Sequence, residues 1–268
     1  MVPLIIGGLA LHTFSGVWTA DNYNREARQV NYEAFTLVEA AARKLRAQYE
    51  KVESTMLKLA NRKRAVMSSS LPKFVAVHER IVQINFSRRL SDNVIGNLAL
   101  RPENLSAINQ MISVSGVQMS TEQTLGTFIF GGLIGGAIKK EARINLDVAY
   151  TRSDEAEVIA HNIDTARLAV EGINDKADSV LKLLTQMNAL LLKSIQHTST
   201  LVERNGFDVE RYSDADIDDI MNCCNFAVAV SDVLKAPLFD ANGKLSRQVD
   251  ETLSTGNEYV KKIQSAAR

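Results

Sequence analysis

The chain has 268 residues, with 31 Lys and Arg balanced by 31 Asp and Glu, so its formal net charge is zero. A general nucleic-acid binder carries a basic excess, and that class is set aside. Aromatics make up 6%, there are only four prolines, and β-branched residues rarely alternate with polar ones. Those counts exclude a sheet protein of this length and leave long stretches free to be helix. The expected fold is all-α: an elongated helical bundle with long heptad-patterned coiled-coil helices and two Gly-containing apolar segments.

The first apolar segment runs from Val2 to Trp18 without a charge. At about 17 residues it lies at the short end of what crosses a bilayer. No Lys or Arg precedes it and no small-residue cleavage pattern follows, so it does not read as a signal peptide. Leu4, Ile5, Ile6, Gly7 and Gly8 form its apolar body, and Trp18 stands where an interfacial aromatic would. Arg25 and Arg28 follow it, which would leave the body of the chain on the cytoplasmic side. His12, Thr13 and Ser15 count against lipid, so burial in a protein core or oligomer interface stands beside membrane docking.

From about Asn24 to Met67 there is neither Pro nor Gly. Val30, Ala34, Leu37, Ala41, Leu45, Val52, Met56 and Leu59 fall on one helical face. The stretch predicts a helix of about 43 residues, roughly 65 Å long. Its last charged run, Asn61-Arg62-Lys63-Arg64, suits the negative end of the helix dipole, or an anionic surface. Ser68-Ser69-Ser70-Leu71-Pro72 is expected to break the helix. Shorter helices follow from Lys73 to Ile112, with Pro102 as a first helical residue.

Ser120-Thr121-Glu122-Gln123 fits a capping box that opens the second apolar segment, Leu125 to Ile138. Phe128 and Phe130 give it bulk. Gly131 with Gly135, and Gly132 with Gly136, are spaced four apart and make smooth faces for close helix contact. The segment is short for a span, so a re-entrant, interfacial or core role is expected, with a turn between helices as the other reading. Lys139, Lys140 and Arg143 either hold one end at a headgroup surface or begin the next solvated face. No GK[ST] follows the glycines, which excludes a phosphate loop.

The clearest repeat lies beyond. Ile159, Ile163, Ala166, Val170, Ile173, Ala177 and Val180 continue through Leu184, Met187, Leu191, Ser194, Thr198 and Leu201 at alternating gaps of four and three. That is a coiled-coil pattern, in a helix expected over 139–205. Ile163, Val170, Ile173, Val180, Leu184, Met187, Leu191 and Leu201 are the candidate partner interface. Leu181, Leu183, Leu190, Leu192 and Ile195 lie off the strict seam, so a bundle of three or more helices is needed to bury them. Gly172 is a weak point in the helix. A C-terminal helical region fills 206–268, with a helix from Ser213 through Cys223 and Cys224 to Leu234, and another from about Leu245 to Ala267. Adjacent cysteines on a helix are poorly placed to bridge each other, which points to a reduced compartment.

No catalytic constellation emerges. His12, His78, His161 and His197 share no metal-ligand spacing, and no nucleophile motif is present. Asp214, Asp216, Asp218 and Asp219 lack the glycine and late glutamate of a calcium loop and fit the first turn of a helix. No enzyme activity, cofactor, metal, nucleic acid or small-molecule substrate is expected. In architecture alone, long helices flanking an apolar segment resemble the α-helical pore-forming toxins and some receptor coiled coils.

The organisation expected is an apolar segment over 1–20, a long helix with shorter ones over 21–124, the glycine segment over 125–138, the coiled-coil helix and the C-terminal region. The function expected is that of a non-enzymatic, membrane-associated helical scaffold, at the cytoplasmic face or in the cytoplasm, that self-associates or recruits a helical partner. The alternatives are an α-helical pore-former or membrane remodeller with sheltered apolar segments, and a soluble cytoplasmic adaptor.

Overall fold

The computed structural model describes residues 25–86, 89, 98, 100–130, 156–240 and 244–266. It is all-α. Among the described residues there is no strand, only an isolated antiparallel bridge between Phe239 and Leu245. The order is α1 (Arg25–Ala65), a π turn (Val66–Ser70), α2 (Leu71–Ile81), α3 (Pro102–Ser115), α4 (Thr121–Leu125) with a π turn (Gly126–Phe130), and α5 (Ala156–Asn205). A 3-10 turn (Val209–Arg211), α6 (Asp214–Lys235) and α7 (Arg247–Ala266) complete it.

Pro72 does not break the helix. It lacks an N–H and its ring crowds the preceding turn, so an α-helix would kink here. The chain instead widens one turn: Leu71 N–H reaches back to Val66 O, and the backbone stays right-handed helical on both sides. Pro72 then serves in the first turn of α2, where no N–H is needed.

The chain divides into two compact units, 1–56 with 139–176, and 57–138 with 177–268. In the first, α1 buries Val38, Ala41, Leu45, Val52 and Met56, and α5 buries Ile159, Ile163 and Val170. Leu37, expected on the buried face, is 46% exposed, and Val38 takes its place. Counting back seven from the buried Leu45 gives position 38, and residue 37 is rotated about 100° off that line. Thr55 donates a 2.8 Å hydrogen bond to Asn174 Oδ1 within this apolar stripe. Asp164, hydrogen-bonded by Arg167, also feels Lys44, and both interactions hold its carboxyl below the usual range. The contacts Lys44 to Asp164 and Thr55 to Asn174 advance together, so the two helices run parallel here.

In the second unit, Leu59, Ala60, Val66 and Met67 face a core to which α5 gives Ala177, Val180, Leu184, Met187, Leu191 and Leu201. Leu183 and Ile195, off the strict seam, are also buried, whereas Leu181, Leu190 and Leu192 are half-buried. The hydrogen bonds Ser70 to Asn188 and Arg80 to Glu203 again advance in the same direction along both helices. Helices α2, α3, α6 and α7 complete this bundle. Gly256 of α7 is buried, and a Cβ there would meet Leu183 Cδ2 at 2.6 Å, so glycine permits that close approach.

Helix ends follow the expected chemistry. Ser120 and Gln123 exchange reciprocal hydrogen bonds of 3.2 and 2.9 Å. Ser213 and Asp216 do the same at α6. Among the described residues no helix is long and apolar enough to cross a membrane.

Candidate functional site

Leu4, Ile5, Ile6, Gly7, Gly8, Trp18, Gly131, Gly132, Gly135 and Gly136 lie outside the described residues, as does the stretch 139–155 of the expected long helix. Of the second apolar segment, Leu125, Phe128 and Ile129 are buried in protein, and Phe130 ends the π turn. On α5, Ile163, Val170, Val180, Leu184, Met187, Leu191 and Leu201 are buried within this single chain. Ile173 is only half-buried, and Asn174 beside it takes the buried position.

Several of the charged residues singled out by sequence find internal partners. Lys63 is buried and its Nζ donates a 3.0 Å hydrogen bond to Ala236 O, beyond the last turn of α6. Burial lowers its pKa to about 8. Arg64 donates to Ser115 O and Val117 O, at 3.1 and 2.7 Å, and closes the end of α3. Neither side chain is offered to an anionic surface. Three of the four aspartates at the start of α6 are likewise engaged: Asp214 by Arg89, Asp216 by Arg204 and its cap, Asp219 by His197. Backbone and side-chain hydrogen bonds from Ser213, helped by Arg204, lower the Asp216 pKa. Among the described residues no group of three or more His, Cys, Asp or Glu is placed to hold a metal ion.

Cys223 and Cys224 are free and buried. Burial raises both thiol pKa values, Cys224 to about 12, while Ser194 and Thr198 partly offset it at Cys223. Thiols held protonated in this way are poor nucleophiles. Cys224 Sγ lies 3.8 Å from Leu98 O, and His78 Nε2 lies 3.1 Å from the same atom. A carbonyl only accepts, so Nε2 carries the His78 proton.

A cleft of about 600 Å³ in the second unit begins two residues beyond that doubly held carbonyl. Leu100 follows, with φ at +56°, in a left-handed conformation costly for a side chain of this bulk. Leu100, Arg101 and Asn104 form one wall. From α6, Asn225, Val228, Ala229 and Asp232 form a second, spaced as one helical stripe. A third stripe, Gln248, Glu251, Thr252, Thr255 and Tyr259, comes from α7. The volume falls in the range of ligand-binding clefts. Sequence reasoning passed over all of these positions. The lining is mostly polar and drawn from three helices, with α3 about 100 residues before α6, so each stripe reads as a solvated helix face. Only the left-handed Leu100 departs from a local rule, and nothing in the residue type announces it.

No protein-family model matches the chain, and neither a curated protein nor a solved structure matches it.

Proposed function

We propose that the chain is a non-enzymatic helical scaffold that self-associates through the first unit and attaches to the cytoplasmic face of a membrane through residues 2–18. One observation carries the self-association. Tyr32, Leu37, Val158 and Leu168, all in the first unit, are 46–68% exposed, and they make up half of the large exposed apolar side chains among the described residues. Two parallel helices bury one stripe each and leave their flanks wet. Two such pairs, one from each copy, would form a four-helix bundle that covers the flanks. The neutral net charge sets up no long-range repulsion between copies. Support for attachment is in the sequence: an uncharged run ending in Trp18 and followed by Arg25 and Arg28.

Sedimentation of the full chain tests the first part. A dimer or larger species is expected, converted to monomer by Leu37→Glu with Leu168→Glu, and a monomeric wild-type chain would refute it. Carbonate washing of membranes tests the second: the full chain should stay in the pellet and a chain lacking residues 2–18 should not.

The burial of Leu125, Phe128 and Ile129 favours a second reading, a pore-former that shelters apolar segments until release. Dye leakage from anionic liposomes would support it, and intact liposomes across pH 5 to 8 would exclude it.

A further inference from the structure

We infer that the cleft between α3, α6 and α7 binds an extended peptide of about three residues with a negative group at one end and a positive group at the other. The inference is independent of the scaffold reading.

The argument begins with how the cleft is oriented. The chain reverses between α6 and α7, where Asp240 N–H bonds Lys244 O and Ser246 N–H bonds Leu238 O. Ala236, Val249 and Thr252 line one small void together, so the start of α7 sits beside the end of α6. Cys224 touches Leu98 O, so the wall that carries Arg101 lies near the Asn225 end of α6. The ionisable groups then sort by position. Arg101, three residues on from Leu98, is assigned to the Asn225 end, and the antiparallel course of α7 puts the Tyr259 ring there too. Asp232 and Glu251 stand at the other, by the α6 C-terminus. Asn225 and Asp232 are seven residues apart, about 10 Å along the helix. Three extended residues span about the same distance.

The uncharged polar groups along the walls fit a peptide backbone. Asn104, Asn225 and Gln248 each present an amide that both donates and accepts, and Thr255 adds a hydroxyl, so the walls can answer alternating C=O and N–H groups. Arg101 pairs with a carboxylate in two-pronged fashion. It makes no ion pair with the described residues, and Glu251 makes none either. Asp232 is already shared with Lys235 at 3.3 Å, which leaves Glu251 as the principal partner for the positive end. The held carbonyl of Leu98 and the left-handed Leu100 fix the Arg101 wall before a ligand arrives, which lowers the entropy cost of binding. Recognition of peptide ends by fixed polar groups is a recurring binding mode.

Tri-alanine with free termini is the probe, titrated into the 15N-labelled full chain and followed by amide chemical shifts. Shifts are expected at the start of α3, over 225–232 and over 248–259. Acetylating and amidating the peptide, Arg101→Glu, or Glu251→Lys should each weaken binding at least tenfold. Both side chains are exposed, so the variants keep the fold, which circular dichroism checks. The exchanged pair Arg101→Glu with Glu251→Arg should restore binding, with the peptide reversed. An absence of shifts at these positions, equal binding of the blocked peptide, or failure of the exchanged pair to recover binding would each overturn the inference.

Discussion

The ammonium of Lys63 reaches the carbonyl of Ala236 at 3.0 Å, beyond the last turn of α6, from inside the apolar stripe of α1. Counting four from Leu59 along that stripe arrives at Lys63, so a charged residue holds a core position. It offsets the negative end of α6 and satisfies a helix-terminal carbonyl, at the expense of a desolvated charge.

The cost has a pH signature. The Lys63 pKa falls from 10.5 to about 8 on folding. Between those values the unfolded chain binds the extra proton, so this group's contribution to stability rises with pH through that window and the penalty is complete below it. From pH 7.5 to 9.5 the gain is about 2 kcal/mol. The buried thiols work the other way: their raised pKa values make the unfolded chain lose protons first, so they lower stability as pH rises above the ordinary thiol range. Comparing wild type with Lys63→Met isolates the lysine, because the thiols are common to both. Urea unfolding at pH 7.5 and 9.5 should show the difference between the two proteins changing by about 2 kcal/mol in favour of wild type. A difference independent of pH would sink this account.

Gly256→Ala is expected to destabilise by about 1 kcal/mol, although alanine is the better helix former. The added methyl meets Leu183 Cδ2 at 2.6 Å, Cδ1 at 3.3 Å and Cγ at 3.4 Å. A rotation of Leu183 moves one methyl into the place of the other, so the whole side chain has to shift within a packed core. In a double-mutant cycle, Leu183→Ala should absorb most of the Gly256→Ala cost. Additive losses would show that the contact is unimportant.

Gly172→Ala should have the opposite effect. Gly172 is exposed in the interior of α5 and its Cβ position is open. Only backbone entropy and helix propensity change, and thermal unfolding should report a gain of about 0.5–1 kcal/mol.

Arg64→Met removes two donors from the end of α3 at once. The expected loss is about 1–2 kcal/mol, with faster hydrogen exchange in the last turn of α3. Arg64→Lys should recover only part of it, since an ammonium does not present the two-pronged geometry of the guanidinium. Full recovery by lysine would reduce the interaction to charge alone.

Periodicity revealed the parts of the molecule that repeat. The α5 seam was legible because burial recurs every three or four residues for tens of positions, and the capping box at Ser120 because both partners are local. Pro72 was misleading: the local rule says stop, but packing of both flanking helices favours one widened turn over two broken ends. Lys63 was hidden inside a cationic run whose neighbour Arg62 remains at the surface side. The cleft was illegible for a different reason. Its walls meet only after α3, α6 and α7 have packed, and polar residues carry no periodic signal of their own.

The parallel course of the long helices has a consequence for how the chain is made. Within each unit the paired residues are far apart in sequence: 119 positions for Thr55 and Asn174, 118 for Ser70 and Asn188, 123 for Arg80 and Glu203. A hairpin can zip from its turn, but these pairs have no nearby turn from which to start, and such distant pairing slows folding. At ribosomal speed, about 6–24 s separate the synthesis of one partner from that of the other. During that interval the apolar stripe of α1 has no α5 to meet. The nascent chain is therefore expected to be a client of chaperones that shield exposed apolar helices, and a ribosome stalled before residue 156 should hold α1 in a protease-sensitive state.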